Sequence, residues 1–233
     1  VESAFLHPER IVTNFGLKPG EHAADFGAGA GFFTIPMART VGQEGKVYAI
    51  DIQKENLEVI KAKARLEHLL NIEYVWGNLE MLGGSKIKDE YVDFVIIANI
   101  LFQAEKRQEV LREALRVLKP GGRLAVSDVV VTGEVPAAIR RSVELWVGCV
   151  AGALSDSDYT TKLKNAGFEQ IGIEPTRVYD IEDARQFLAG QGIDVNVIAP
   201  QVAGKFMSAF VRAYKPAPRG CCAPSCYASS SNS

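Results

Sequence analysis

Asp25-Phe26-Gly27-Ala28-Gly29-Ala30-Gly31 is the stretch whose reading decides the fold. A short apolar run over residues 23–26 leads into it and an amphipathic segment over 32–41 leaves it, so three glycines stand where a strand hands over to a helix. Glycine at such a handover lets the main chain turn sharply and lets a ligand approach the backbone where a Cβ would otherwise stand. Outward from this turn the same texture repeats. Strands are expected over 46–51, 72–76, 92–98 and 123–128, with helices over 54–69 and 107–118 between them. In the first of these helices Leu57, Ile60, Ala64 and Leu66 recur among charged neighbours, a single buried stripe. Lys119-Pro120-Gly121-Gly122 stops the second, because proline cannot continue a helix and glycine accepts a tight turn. Apolar runs alternating with amphipathic segments predict an α/β fold, a mostly parallel sheet covered by helices.

After Asp128 the pattern changes. Residues 136–152 read as a helix carrying Trp146 and Cys149, an insert over the sheet and not the next strand-helix unit. Ser155-Asp156-Ser157-Asp158 then starts a helix running to Asn165-Ala166-Gly167, and two further strands are expected over 168–174 and 205–215. The run from Lys215 to Gly220 is a linker, and residues 229–233 are polar and of low complexity. One domain over 1–215 is therefore expected, with a cofactor-binding half at 10–128, a substrate-side half at 129–215, and a flexible cysteine-containing tail at 216–233.

The bulk composition narrows the partners. With 233 residues and 47% hydrophobic content, the chain can bury one sizeable core. Its 26 basic and 28 acidic residues are mixed, with a net charge of −2 and no broad footprint for nucleic acid or an anionic membrane. A small-molecule partner is the expectation. No apolar run reaches the roughly 18 residues of a spanning helix, and Val1-Glu2-Ser3-Ala4 lacks the pattern of a secretory signal, so a cytoplasmic setting is expected. There the four cysteines would be thiols or soft-metal ligands, not a disulfide framework.

Asp51 closes the second strand 20 residues after Gly31, where a carboxylate can accept hydrogen bonds from both hydroxyls of a ribose. That pairing also suits a dinucleotide enzyme. The glycine spacing departs from Gly-x-Gly-x-x-Gly, however, and no helix start is evidently reserved for a pyrophosphate, which favours S-adenosylmethionine.

At these residues the chain resembles the class I S-adenosylmethionine-dependent methyltransferases, over roughly residues 10–215. The matching pieces are residues 25–31, Tyr48-Ala49-Ile50-Asp51, Gly77-Asn78-Leu79-Glu80, 93–99, Leu118-Lys119-Pro120-Gly121-Gly122 and Ala166-Gly167-Phe168. The resemblance implies a Rossmann-like seven-stranded sheet, mostly parallel with the last strand antiparallel. Helices would cover both faces, with a helical insert over the substrate mouth. It also implies that Asp25 belongs to the cofactor site and that Gly27, Gly29 and Gly31 flank the methionyl part of the cofactor. Asp51 would hold the ribose, Ile52, Asn78 and Leu79 the adenine, and Asn99 the methionine end. Many relatives carry Asp where this chain has Asn78, so its adenine contact would be a neutral amide.

Glu144-Leu145-Trp146-Val147-Gly148-Cys149-Val150-Ala151-Gly152 sets a thiol among small residues. With the later Cys221-Cys222 it resembles the arsenite methyltransferase family, in which cysteine thiolates hold trivalent arsenic beside the cofactor sulfonium. By that resemblance Cys149 is the fixed ligand, and Cys221 or Cys222 is brought by the C-terminal segment. Thiolate sulfur suits a soft trivalent centre. A thiolate-bound arsenic keeps a lone pair that attacks a methyl group directly, so in-line positioning matters more than a general base. His7, His22 and His68 form no triad, consistent with this. The chain departs from that family after the glycine turn, where Phe32-Phe33-Thr34-Ile35-Pro36-Met37 carries no thiol. A two-cysteine site would suit a methylated or thiol-capped arsenical, or arsenite with an external thiol reductant.

Plainer readings stand beside these. Cys149 is also what a small core residue in a Gly/Ala-rich helix looks like, and Cys221, Cys222 and Cys226 could capture zinc or copper. A carbon or oxygen methyltransferase of the quinone-biosynthesis type would share the same cofactor half. A cofactor domain with a soft-metal tail that binds without transferring methyl groups is the third alternative.

Overall fold

A computed structural model describes residues 8–133, 135, 153–180, 190, 196 and 203–218. The expected insert at 136–152, with Trp146 and Cys149, and the cysteines at 221, 222 and 226 lie outside the described residues.

The elements follow in the order α1 (Pro8–Asn14), β1 (His22–Phe26), α2 (Thr34–Val41), β2 (Lys46–Asp51), α3 (Lys54–Leu66), β3 (Ile72–Trp76) and β4 (Val92–Ala98). Then come α4 (Arg107–Val117), β5 (Leu118–Val131), β6 (Leu154–Ser155), α5 (Asp156–Ala166), β7 (Glu169–Val178) and β8 (Phe206–Tyr214). The sheet runs β3-β2-β1-β4-β5-β8-β7, with the two-residue β6 paired to the end of β5. Strands β1 to β5 are mutually parallel, and β8 lies antiparallel to both β5 and β7. This is the mixed α/β sheet that the alternating pattern predicts. Between β1 and β4 the strand order reverses direction, and at such a switch point a crevice opens beyond the carboxyl ends of the strands.

Strand alternation divides the interior into two cores. Phe26, Ile50, Val95, Ile97 and Val126 face α4 and α5, whose Val110, Leu111, Ala114, Tyr159 and Leu163 cover them. Ala23, Val47, Ala49, Phe94 and Ile96 face the other way, onto Ile11, Met37, Val41, Leu57 and Ile60 of α1, α2 and α3. Strands buried on both sides explain why β1, β2 and β4 read as continuous apolar runs.

Of the boundaries that differ from the sequence expectation, three have a clear physical cause. The helix expected to reach residue 69 ends at Leu66, and His68 turns the chain with a φ of 56°. β5 begins at Leu118 and not at residue 123, because Gly121 donates to the carbonyl of Lys215 and Gly122 accepts from its N–H, which draws the expected turn into the sheet. β7 runs on through Pro175 to Val178, with a register shift at Pro175, as an edge strand permits. The helix α1 was not foreseen.

The start of α5 is as its sequence indicates. The Ser155 side chain accepts from the Asp158 N–H at 3.0 Å, and the Asp158 carboxylate accepts from the Ser155 N–H at 3.3 Å, a reciprocal cap. Ser155→Ala is expected to lower stability by about 1 kcal/mol, read as a reduced urea midpoint with an unchanged slope. An unaltered midpoint would show that the cap contributes nothing.

Candidate functional site

The carboxyl ends of β1 to β5 carry the polar residues of interest. Asp51, the last residue of β2, is only 6% exposed, and both carboxylate oxygens are already held by main-chain donors. Oδ2 accepts from the Gly29 N–H at 2.8 Å and Oδ1 from the Gln53 N–H at 2.8 Å. Its carbonyl accepts from the Gly77 N–H at 3.1 Å. One residue thus ties the turn after β1, the exit of β2 and the start of the loop after β3. Each oxygen retains acceptor capacity toward a pair of hydroxyls.

The glycine turn is fixed from beneath, since the N–H groups of Gly27 and Ala28 both donate to the Ile50 carbonyl. Gly27 has a φ of 78°, and a Cβ there would fall 2.5 Å from Ile100 Cγ2, so the turn after β1 and the loop after β4 are in direct apposition. At Gly29 a Cβ would meet nothing within 4 Å. That side of the turn is open for a ligand to lie against the backbone. Lys63 of α3 donates to the Ala30 carbonyl and closes the turn from the helix side.

Asp25 and Thr34 are buried beneath this turn, with the Thr34 hydroxyl donating to Asp25 Oδ2 at 2.6 Å. Burial pushes the Asp25 carboxyl up to about 7; the Thr34 hydrogen bond opposes the rise and the nearby Asp51 charge adds to it. Asn99 follows β4 in the left-handed region at φ 56°, and its N–H donates to the Ser127 carbonyl. An asparagine tolerates that conformation better than most residues, and its exposed side chain stands at the mouth of the crevice.

Ile52 is 61% exposed, and its carbonyl accepts from the indole N–H of Trp76 at 2.9 Å. Asn78 is exposed, its Oδ1 accepting from the Glu80 N–H, while Leu79 is buried behind it. These residues share the edge beyond β2 and β3. The structure therefore brings Gly27, Gly29, Gly31, Asp25, Asp51, Ile52, Asn78, Leu79 and Asn99 to one end of the sheet. Cys149, Cys221 and Cys222 are outside the described residues. Among the described residues no three His, Cys, Asp or Glu side chains group as a metal site, and no helix is long and apolar enough to cross a membrane.

A family model described as a methyltransferase domain matches residues 17–167. The chain belongs to the methyltransferase domain family. An arsenite methyltransferase of Halobacterium salinarum is 32% identical over 202 residues, covering 86% of this chain and 48% of that protein. A ubiquinone/menaquinone biosynthesis C-methyltransferase of Vibrio vulnificus is 38% identical over 114 residues, covering 48% of this chain and 43% of that one. Among solved structures, an arsenic (III) S-adenosylmethionine methyltransferase from Chlamydomonas reinhardtii superposes with a TM-score of 0.69 at 26% identity, over 86% of this chain and 65% of that one. The chain spans about half the length of the curated relatives it matches.

In this methyltransferase domain several residues beyond the expected set shape the site. Trp76 is 52% exposed beside Ile52, with the Lys54 ammonium 4.2 Å from its ring centroid. Asp128 is buried on β5, where Oδ2 accepts from the Tyr159 hydroxyl at 2.7 Å and Oδ1 from the Val129 N–H. Burial pushes its carboxyl up to about 6 against the pull of these donors. Arg107 donates to the carbonyls of Leu101 and Phe102 and secures the loop that Asn99 opens. Thr34 had a usable signal in the sequence, a hydroxyl at the helix start after the glycines; Trp76 and Asp128 had none.

The raised Asp25 carboxyl makes stability depend on pH. The folded chain keeps at about 7 a proton that the unfolded chain releases near 3.8, so this contribution is full below 3.8 and is lost as pH rises through about 7. Asp25→Asn is expected to flatten the fall in stability across that window in urea titrations at a series of pH values. Equal slopes for the two proteins would refute the assignment.

Proposed function

We propose that this protein transfers a methyl group from S-adenosylmethionine to a thiolate-bound trivalent arsenical. The cofactor part of the reading rests chiefly on Asp51, a carboxylate pre-set by the Gly29 and Gln53 amides at the end of β2. Asp51 would receive the ribose hydroxyls, the open face at Gly29 and the Asn99 loop would flank the methionyl end, and Ile52, Asn78 and Leu79 would border the adenine. The donor set fits the group, since a diol needs paired acceptors and an α-ammonium is favoured by the buried Asp25 carboxyl beneath the turn. Bound there, S-adenosylmethionine would supply an electrophilic methyl carried on a sulfonium.

The acceptor part rests on likeness and on where the chain leaves the sheet. The Halobacterium match leaves about 33 residues of the chain outside it, so wherever it begins it runs across Cys149. The Vibrio C-methyltransferase match covers half the chain and requires no such extension. Leu154 and Ser155 pair with Val130 and Val131 at the same end of the sheet as Asn99. Cys149 stands five positions before Leu154, at most about 18 Å of extended chain. The fixed thiolate is assigned to Cys149 on this basis. The arsenic lone pair would form the new As–C bond as the methyl–sulfur bond breaks and S-adenosylhomocysteine leaves.

A second thiolate would come from Cys221, Cys222 or an external thiol. β8 runs antiparallel and ends with Tyr214 opposite Arg123, at the far end of the sheet from Asn99. This direction favours the external thiol. A cytoplasmic setting, where thiols stay reduced, and a division into a domain over 1–215 and a tail over 216–233 accord with this reading.

Purified protein is expected to methylate arsenite or a methylated trivalent arsenical when S-adenosylmethionine and a thiol are present. Cys149→Ser should abolish this while retaining S-adenosylhomocysteine binding, and Asp51→Ala should abolish both. A chain ending at Lys215 should keep most turnover with added thiol. Turnover of an arsenical unaffected by Cys149→Ser would overturn the thiolate assignment, and arsenical binding with no cofactor consumed would leave a binding module instead.

A further inference from the structure

The loop between β3 and β4, which carries Asn78 and Leu79, is held by a residue far from it in sequence. Glu113 of α4 is 0% exposed, and its carboxylate receives five donors. Oε2 accepts from the Gly83 N–H at 2.7 Å and from Arg116 Nε at 2.9 Å. Oε1 accepts from the Ser85 N–H at 3.0 Å, the Ser85 hydroxyl at 2.5 Å and Arg116 Nη2 at 2.7 Å. Arg116 reaches on to the Ile87 carbonyl at 2.9 Å and pairs with Asp89. Burial alone would raise the Glu113 carboxyl, but the Arg116, Ser85 and Gly83 hydrogen bonds outweigh it and hold it below its ordinary value.

The clamped segment presses directly on the Asn78 turn. A Cβ on Gly84 would fall 1.8 Å from the Asn78 carbonyl oxygen, and one on Gly77 would fall 2.1 Å from the Gly84 carbonyl oxygen. The Gly84 N–H donates to the Met81 carbonyl, and the Met81 N–H to that of Asn78. No slack separates residues 83–85 from residues 77–78. Wherever Glu113 holds Gly83 and Ser85, the Asn78 turn must follow.

We propose that Glu113, with Ser85 and Arg116, is a positioning residue that sets the base selectivity of the nucleoside site by fixing residues 83–85 against the Asn78 turn. The inference rests on the reading of Asn78 and Leu79 as the border of an adenine ring. Adenine presents an amino donor beside a ring-nitrogen acceptor, whereas hypoxanthine presents an oxygen acceptor beside a ring N–H, so a turn held in one place distinguishes them. A turn free to shift discriminates less, because a buried polar group can then find another partner.

The test is calorimetric titration of S-adenosylhomocysteine and S-inosylhomocysteine into wild type, Glu113→Gln and Ser85→Ala. Wild type should prefer the adenine ligand. Glu113→Gln should shrink that preference about tenfold, through weaker adenine-ligand binding with little change for the inosine ligand. Ser85→Ala, which leaves four of the five donors, should move the preference the same way by less and serves if the first variant does not fold. Equal weakening of both ligands would mark Glu113 as a structural staple only, and overturn the inference. An unchanged preference in Ser85→Ala and Glu113→Gln, or no preference in wild type, would overturn it as well. Wild type binding neither ligand would instead bring down the cofactor reading beneath it.

Discussion

The carboxylate of Asp51 is the constraint on which the carboxyl edge of the sheet depends. A parallel sheet delivers its strands to a common edge but leaves the loops beyond that edge free to drift. Here the Gly29 and Gln53 amides converge on two oxygens of one side chain, and the Gly77 amide takes the same residue's carbonyl. The loops after three successive strands are thereby fixed by a group that is itself rigid, because it closes a strand buried on both faces. An acceptor pre-set in this way loses little freedom when a ligand arrives, which is how a small polar contact becomes an effective one.

Three further buried carboxylates each join the sheet or a loop to a helix, and their chemistry divides by the donors they meet. Asp25 has the hydroxyl of Thr34, and Asp128 has the hydroxyl of Tyr159 and backbone amides. Neutral donors only partly offset burial, and both carboxyls rise, to about 7 and about 6. Glu113 meets the guanidinium of Arg116 as well as neutral donors, and is held low despite being fully enclosed. A charge-assisted pair keeps the ion where neutral hydrogen bonds do not. Charge near neutral pH is thus steady in the loop after β3 and variable beneath the glycine turn.

Much of the fold was legible because the signals are local. Apolar runs at β2, β3 and β4 gave their strands to the residue, and Ser155 with Asp158 marked the start of α5. The common placement of the proposed cofactor residues was legible for the same reason, since Asp25, the glycines, Asp51, Asn78 and Asn99 all lie at or just beyond the ends of strands. What escaped is tertiary. Glu113 sits at the third position after Val110 and just before Ala114 and Val117, on the stripe that faces the core. Its spacing is that of a core position, but the partners at Gly83 and Ser85 come from another loop and carry no mark in sequence. The extension of β5 back to Leu118 likewise depends on Lys215, almost a hundred residues away.

Sheet direction also separates the strand ends from which the chain sets out toward Cys149 and toward Cys221. The chain leaves β5 at Val131 and rejoins it at Leu154, and α5 is then anchored by Tyr159 to Asp128, so both flanks of the intervening segment are held at the carboxyl edge of the sheet. The antiparallel course of β8 does the opposite, carrying the chain away from that edge before the last cysteines begin. The described segments that flank the two sets of cysteines therefore end at opposite edges of one sheet. On the proposed reading Cys149, five positions before Leu154, has only a short span to cross to the Asn99 loop, whereas a thiolate beyond Tyr214 must return the full length of β5. For the acceptor proposed, which demands at least two sulfur ligands in a defined geometry, this asymmetry favours one thiolate from the segment before Leu154 and a second from a thiol in solution.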